Sequence, residues 1–163
     1  MNIPEDKTSP IQLFDLSFRE FLLDKKRCSN SQFWIDEKTT HNDLFVHCLK
    51  LMSDHLRKDM CNLRLPGVLT SEVEKSKIDK CLSLDVQYAC CYWIGHLQRG
   101  GIKLCDNGLV HKFLREHFLH WLETLSLIGK VSEGVSMVID VSKHLSTLPV
   151  SDAVLPYYYY LRR

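Results

Sequence analysis

The side chains best equipped for chemistry in this chain are its histidines and cysteines. His117 and His120 stand three apart, one helical turn, with His111 a short way before them and Cys90 and His96 as further soft donors. Zinc needs four converging nitrogen, sulfur or carboxylate ligands. Here they would have to come from separate helices, with no C-x-x-C knuckle to bring two thiolates together. His117 falls on an apolar face and reads as a hydrogen-bonded core imidazole, so no metal site is assigned. The same residues offer a nucleophilic pair, Cys90 or Cys91 with His117 or His120. A reactive thiol needs a helix N-terminus, a glycine-framed turn or a cation to lower its pKa. Cys90 lies instead in register with Trp93 and Leu97, so no catalytic residue is assigned either.

Phosphate chemistry has no visible seat. The sequence contains no G-x-x-x-x-G-K-S/T loop, and neither Gly100–Gly101 nor Gly129–Lys130 supplies the backbone nest and lysine that cradle phosphates. The chain is therefore expected to bind no nucleotide or other cofactor and to be no enzyme. With 21 basic against 20 acidic residues, a net charge of +1 gives no reason to expect nucleic acid or an anionic membrane as partner. The basic runs Lys25–Arg27 and Arg162–Arg163 read as solvated surface. No apolar stretch approaches the roughly 20 residues that span a bilayer, and no secretory signal opens the chain. Seven cysteines (Cys28, Cys48, Cys61, Cys81, Cys90, Cys91 and Cys105) are an odd number without paired spacing. They read as small hydrophobes in a reducing, cytoplasmic setting.

Hydrophobic periodicity predicts mostly helices to carry these residues. Ile11 and Leu13 alternate as in a short strand. Ser17 then stands three residues before Glu20, an S-x-x-E capping box, with Leu16 and Phe21 as its hydrophobic staple. A helix is predicted from Thr40 to Lys58, capped by Thr39 or Thr40, with Leu44, Cys48, Leu51, Met52 and His55 on one face and Phe45, Leu49 and Leu56 widening it. Pro66–Gly67 breaks the pattern, and Ser71 with Glu74 forms a second capping box before a short helix ending near Lys80. Ser83 to Gly100–Gly101 carries the stripe Val86, Ala89, Cys90, Trp93, Ile94 and Leu97, flanked by Tyr88 and Tyr92, with the first glycine as C-terminal cap. Asp106 or Asn107 opens a helix whose face runs Val110, Phe113, Leu114, His117, Phe118, Trp121, Leu122 and Leu125, with a break near His117, ending at Gly129. Val131 to Leu148 is a weaker helix, because Gly134 costs about 1 kcal/mol of helix propensity. The 163 residues suffice for one real core, burying about 70% of the surface of the unfolded chain. The expected fold class is all-α, a stack of helix pairs in the manner of a solenoid, with structural core residues Phe18, Phe21, Trp34, Trp93, Phe113, Trp121 and Leu125.

Five blocks carry a resemblance. LFDLSFREFLLD resembles the L-H-x-S-F-x-D-F-L segment that closes the winged-helix region of fungal NACHT-type signalling NTPases, a family that includes vegetative-incompatibility-like proteins of filamentous fungi. FWIDEKTTHNDLFVHCLKLM, CNLRLPG, QYACCYWIGHL and FLREHFLHWLETLSLIGK follow in the family's order, so the resemblance covers about Ile11 to Leu148. It implies a winged-helix strand–helix remnant over 11–30, a helical connector over 31–148 and a divergent tail over 149–163, while the polar segment 1–10 reads as a flexible N-terminus. In the family this region lies between the nucleotide-binding module and a repeat domain, often a WD-repeat propeller. The resemblance thus implies a non-catalytic scaffold or regulatory segment of innate-immunity or heterokaryon-incompatibility signalling. Its partners would be the NACHT and repeat domains of a longer relative, or a protein in trans. Asp15 stands where the family usually carries a phosphate-sensing histidine. A carboxylate there repels phosphate instead of donating to it, so Asp15 is a degenerate nucleotide-sensor position. The alternative is a free-standing helical adaptor that binds protein through exposed aromatics, Tyr88, Tyr92 and Tyr157–Tyr160.

Overall fold

The computed structural model describes residues 16–28, 32–64, 72–102 and 108–145, with side chains as far as Ile139. The expected strand over 11–13, Asp15, Ser71, Pro66–Gly67, Asp106, Asn107 and the 149–163 tail lie outside the described residues. Among those described the protein is an all-α stack of six helices with no strand. None of these helices is long and apolar enough to cross a membrane. Two compact units, Met1–Thr40 and His41–Arg163, divide the chain.

In the first unit, α1 (Leu16–Leu23) is a short helix with no buried residue. Because it already runs from Leu16, Ser17 sits inside its first turn and not before it, and Leu16 is 78% exposed instead of stapled to Phe21. The expectation for Phe18 is corrected as well: it is 44% exposed, while Phe21 is half-buried. The returning segment explains the difference. Ile35 N–H donates to the Leu22 carbonyl (2.9 Å) and Trp34 Nε1–H to the Leu23 carbonyl (3.3 Å). These bonds satisfy orphan carbonyls at the helix C-terminus and cover the last turn, leaving Phe18 one turn short of the cover. Trp34 is half-buried, with the Lys25 ammonium 4.9 Å above its ring. The same hydrogen bonds tie Trp34 and Ile35 to α1 within the first unit.

α2 (Glu37–His55) starts earlier than predicted. Its cap is Asp36, not Thr39 or Thr40. The Asp36 carboxylate accepts the N–H groups of Lys38 (3.1 Å) and Thr39 (3.4 Å) and the Thr39 hydroxyl (2.9 Å). The hydroxyl bond, with the two backbone N–H bonds, holds the Asp36 carboxyl below the usual range. In the second unit the buried stripe of α2 is Phe45, Cys48, Leu49 and Met52, continued by Leu56. Leu44 and His55, expected on the buried face, are exposed. A tight turn follows, with positive φ at Asp59 (58°), Asn62 (49°) and Arg64 (60°). The Asp59 carboxylate accepts Leu63 N–H (2.6 Å) and Arg64 N–H (3.1 Å), and Glu123 from the fifth helix accepts the N–H groups of Asp59 and Met60, each at 3.2 Å. Side-chain oxygens thus replace the helix partners that the turn gives up.

α3 (Lys75–Cys81) begins after Glu74, so Glu74 stands before the helix and not in its first turn. α4 (Leu84–Gly100) buries Val86, Ala89, Cys90, Trp93, Ile94 and Leu97, the whole predicted stripe. Its left-handed C-terminal residue is Gly101 (φ 65°), one beyond the glycine expected. Gly100 serves close packing instead, because a Cβ there would strike the Asn42 side chain of α2. α5 (Leu109–Leu127) is continuous through His117, so no break occurs, and its preceding residue is Gly108. It ends in a Schellman motif, with Gly129 (φ 70°) donating to Ser126 (3.0 Å) and Lys130 to Leu125 (2.7 Å). α6 (Val131–Leu145) follows at once. α4, α5 and α6 pack on one another. At the centre are Trp121 (0% exposed) and Trp93 (1%), with rings 5.8 Å apart and nearly perpendicular; Phe113 and Leu125 are buried with them. Trp121 Nε1–H donates to the Cys90 carbonyl (2.9 Å), which ties α5 to α4 inside the core.

Candidate functional site

Two features of the second unit have the character of a site: a groove between α2 and α4, and a histidine pair beside it. The groove, of about 550 Å³, is lined by Leu44, Cys48 and Leu51 of α2 and by Tyr88 and Ala89 of α4, with His47, Lys50, Asp54 and Asp85 on its rim. Its floor is apolar because the buried stripe of α2 is centred on Phe45, Cys48 and Met52, which leaves the neighbouring Leu44 and Leu51 at the edge. On α4, Tyr88 (44% exposed) and Tyr92 (55%) lie one turn apart with ring centroids at 4.8 Å. They form an exposed aromatic ledge beside the groove. A smaller hollow of about 340 Å³ lies between α2 and α5, with Val46 and Leu109 among its walls.

Tyr88 joins the groove to the histidines. Its hydroxyl lies 2.9 Å from His96 Nε2, and His96 Nδ1 lies 2.8 Å from His41 Nδ1. His96 is 6% exposed, one of two buried polar side chains among the described residues. Burial, then the neighbouring His41 and Arg99, push the His96 imidazole below its ordinary pKa, and burial pushes the Tyr88 hydroxyl up. Each imidazole nitrogen is a donor or an acceptor according to the tautomer. The chain Tyr88–His96–His41 therefore closes with either one, provided the rings are neutral or share one extra proton.

The other candidates do not come together. His117 is stacked on Phe113 (5.7 Å) and edge-on to His120 (5.7 Å). It is not the hydrogen-bonded core residue expected: its Nδ1 and that of His120 are buried without a protein partner, and its Nε2 is 3.9 Å from Glu116. Among the described residues no three of His, Cys, Asp and Glu converge as metal ligands would. Burial pushes the Cys90 thiol up to about 12, and burial with the adjacent Cys81 pushes the Cys61 thiol up to about 11. Cys48 and Cys91 are raised by burial too. At neutral pH these groups are thiols, and the thiolate is the nucleophile. Sequence reasoning missed the His41–His96 pair because its members are 55 residues apart. The only local signal was that His96 follows Trp93 at helical spacing on a buried stripe.

Comparison with known proteins gives a partial likeness. Over 103 residues the chain is 35% identical to the vegetative incompatibility protein HET-E-1 of Podospora anserina, a match that takes in 58% of this chain and 7% of HET-E-1. No family model matches the chain, and no solved structure does.

Proposed function

We propose that this chain is a non-catalytic helical scaffold from a NACHT-type signalling protein of heterokaryon incompatibility, acting in the cytoplasm through protein contacts and holding no nucleotide site of its own. The observation that carries the reading is the 35% identity to HET-E-1. It is supported by the absence of a phosphate loop from the sequence and by an architecture of packed helices. Such a segment transmits between a nucleotide switch and a ligand-sensing domain by packing alone, with protein as partner and neither nucleic acid nor membrane. The test is a chimaera in which this chain replaces the matching segment of HET-E-1. Retention of the incompatibility reaction, and its loss with Trp93→Ala, is the expected result. A chimaera that is expressed and folded yet silent would overturn the reading. Saturable binding of a fluorescent ATP analogue to the isolated chain would overturn the absence of a nucleotide site.

A second reading, a free-standing helical adaptor, is favoured by one observation, the exposed Tyr88–Tyr92 ledge beside the apolar groove. Aromatic side chains in such positions dominate protein contacts. If this reading holds, Tyr92→Ala weakens partner capture while leaving the thermal midpoint in place. The scaffold reading expects the chimaera to tolerate the same change.

A further inference from the structure

We propose that the His41–His96 pair is an acid-sensitive clasp between the start of α2 and the end of α4, closed with no extra proton or with one and opened by the second. Two Nδ1 atoms 2.8 Å apart need one N–H and one lone pair between them. Two neutral rings meet that need, and so does an imidazolium facing a neutral ring. Two imidazoliums do not, because both Nδ1 atoms then carry hydrogens and the rings bear like charge at a centroid separation of 5.0 Å. Turning the His96 ring gives no escape, since its other nitrogen is engaged by the Tyr88 hydroxyl at 2.9 Å.

The surroundings oppose charge on His96. Among the described residues, the titratable and charged groups that act on it are His41 from α2 and Arg99 from α4. Tyr88, with the Tyr92 ring tilted against it, faces the ring from α4 as a neutral hydroxyl. Burial and the two cationic or potentially cationic neighbours lower the folded-state pKa of His96 below the ordinary 6.5. The unfolded chain then binds more protons than the folded one as pH falls through that value, so folding stability declines with acidification. A neighbouring contact makes the clasp matter locally. Gly100 is packed on Asn42, so the segment that loses the histidine bond also meets α4 at that glycine.

The experiment uses the full chain. Urea midpoints are measured at pH 7.5, 6.0 and 5.0 for wild type, His96→Gln and His41→Gln, and the His96 ring protons of wild type are titrated by NMR. The other histidines give all three proteins a common background, so the difference between profiles isolates the pair. The wild-type midpoint is expected to fall more steeply than either variant's, and His96 to titrate below the ordinary imidazole range. Each unit of that displacement is about a tenfold change in the folding equilibrium. Amide protection in the α2 turn that holds His41 is expected to drop before protection in α5. Parallel profiles in all three proteins, or His96 titrating as a free imidazole, would overturn the proposal. Should a variant not fold, the wild-type titration decides alone.

Discussion

At the scale of single residues, two tryptophans lie at the centre of the core, and burial raises the thiols of Cys61 and Cys90. Trp121→Ala removes a fully buried ring and the indole N–H that donates to the Cys90 carbonyl across α4 and α5. A loss of about 3–5 kcal/mol in urea unfolding is expected, and Trp93→Ala falls in the same range. Phe18→Ala, at a half-exposed position on a helix without buried residues, is expected to cost no more than about 1 kcal/mol. If Phe18 proved as costly as Trp121, the described packing of α1 would be wrong. Cys61 and Cys90, 1% and 0% exposed with thiols pushed up to about 11 and 12, should ignore a disulfide reagent at pH 8 until urea unfolds the chain. Rapid labelling of either in the native protein would contradict their burial. Periodicity alone made Trp93, Phe113, Trp121 and Leu125 legible, because each sits in a run of apolar residues at helical spacing. Phe18 has that spacing too. What periodicity does not contain is the returning segment at Trp34–Ile35, whose bonds to Leu22 and Leu23 determine which turn is covered.

At the scale of elements, helix existence was far more legible than helix ends. For α2 the sequence pointed to Thr39 or Thr40 as cap, and Asp36 takes that place because its carboxylate accepts two backbone N–H groups and a hydroxyl together. Asp36→Ala should therefore lower α2 helicity, seen as reduced amide protection at Lys38 and Thr39. The folded-state pKa of this carboxyl lies below its ordinary 3.8. The charged cap thus contributes fully above that value and is lost as pH falls through the lower one. α6 reads as weak in sequence because of Gly134, whereas the structure gives the glycine a purpose. A Cβ at Gly134 would strike the Leu125 side chain and come within 3.8 Å of Trp121. Gly134→Ala sets a helix gain of about 1 kcal/mol against overpacking of about 1–3 kcal/mol. Leu125, itself 1% exposed, has little room to retreat. A lower urea midpoint is expected, and an unchanged or higher one would show that α6 has slack against α5.

At the scale of the whole molecule, burial is unevenly shared. Among the described residues the first unit contributes Cys28 to the buried hydrophobic residues, and the second contributes the others. Amides of α1 should accordingly exchange well before those of α4 and α5, since local opening follows buried contact density. Equal protection throughout would argue against two units of different stability. The all-α class could be read from sequence because no described element depends on pairing between distant strands. The clasp could not, because it joins residues 55 apart whose types are commonplace. One further feature bears on how such a stack would work. Only Ile128, Gly129 and Lys130 separate α5 from α6, and two backbone hydrogen bonds lock that joint while Gly134 seats α6 against Leu125. A joint of this kind behaves mechanically as a welded elbow. Torque applied to α6 is expected to pass into α5, and through the Trp121–Cys90 bond into α4.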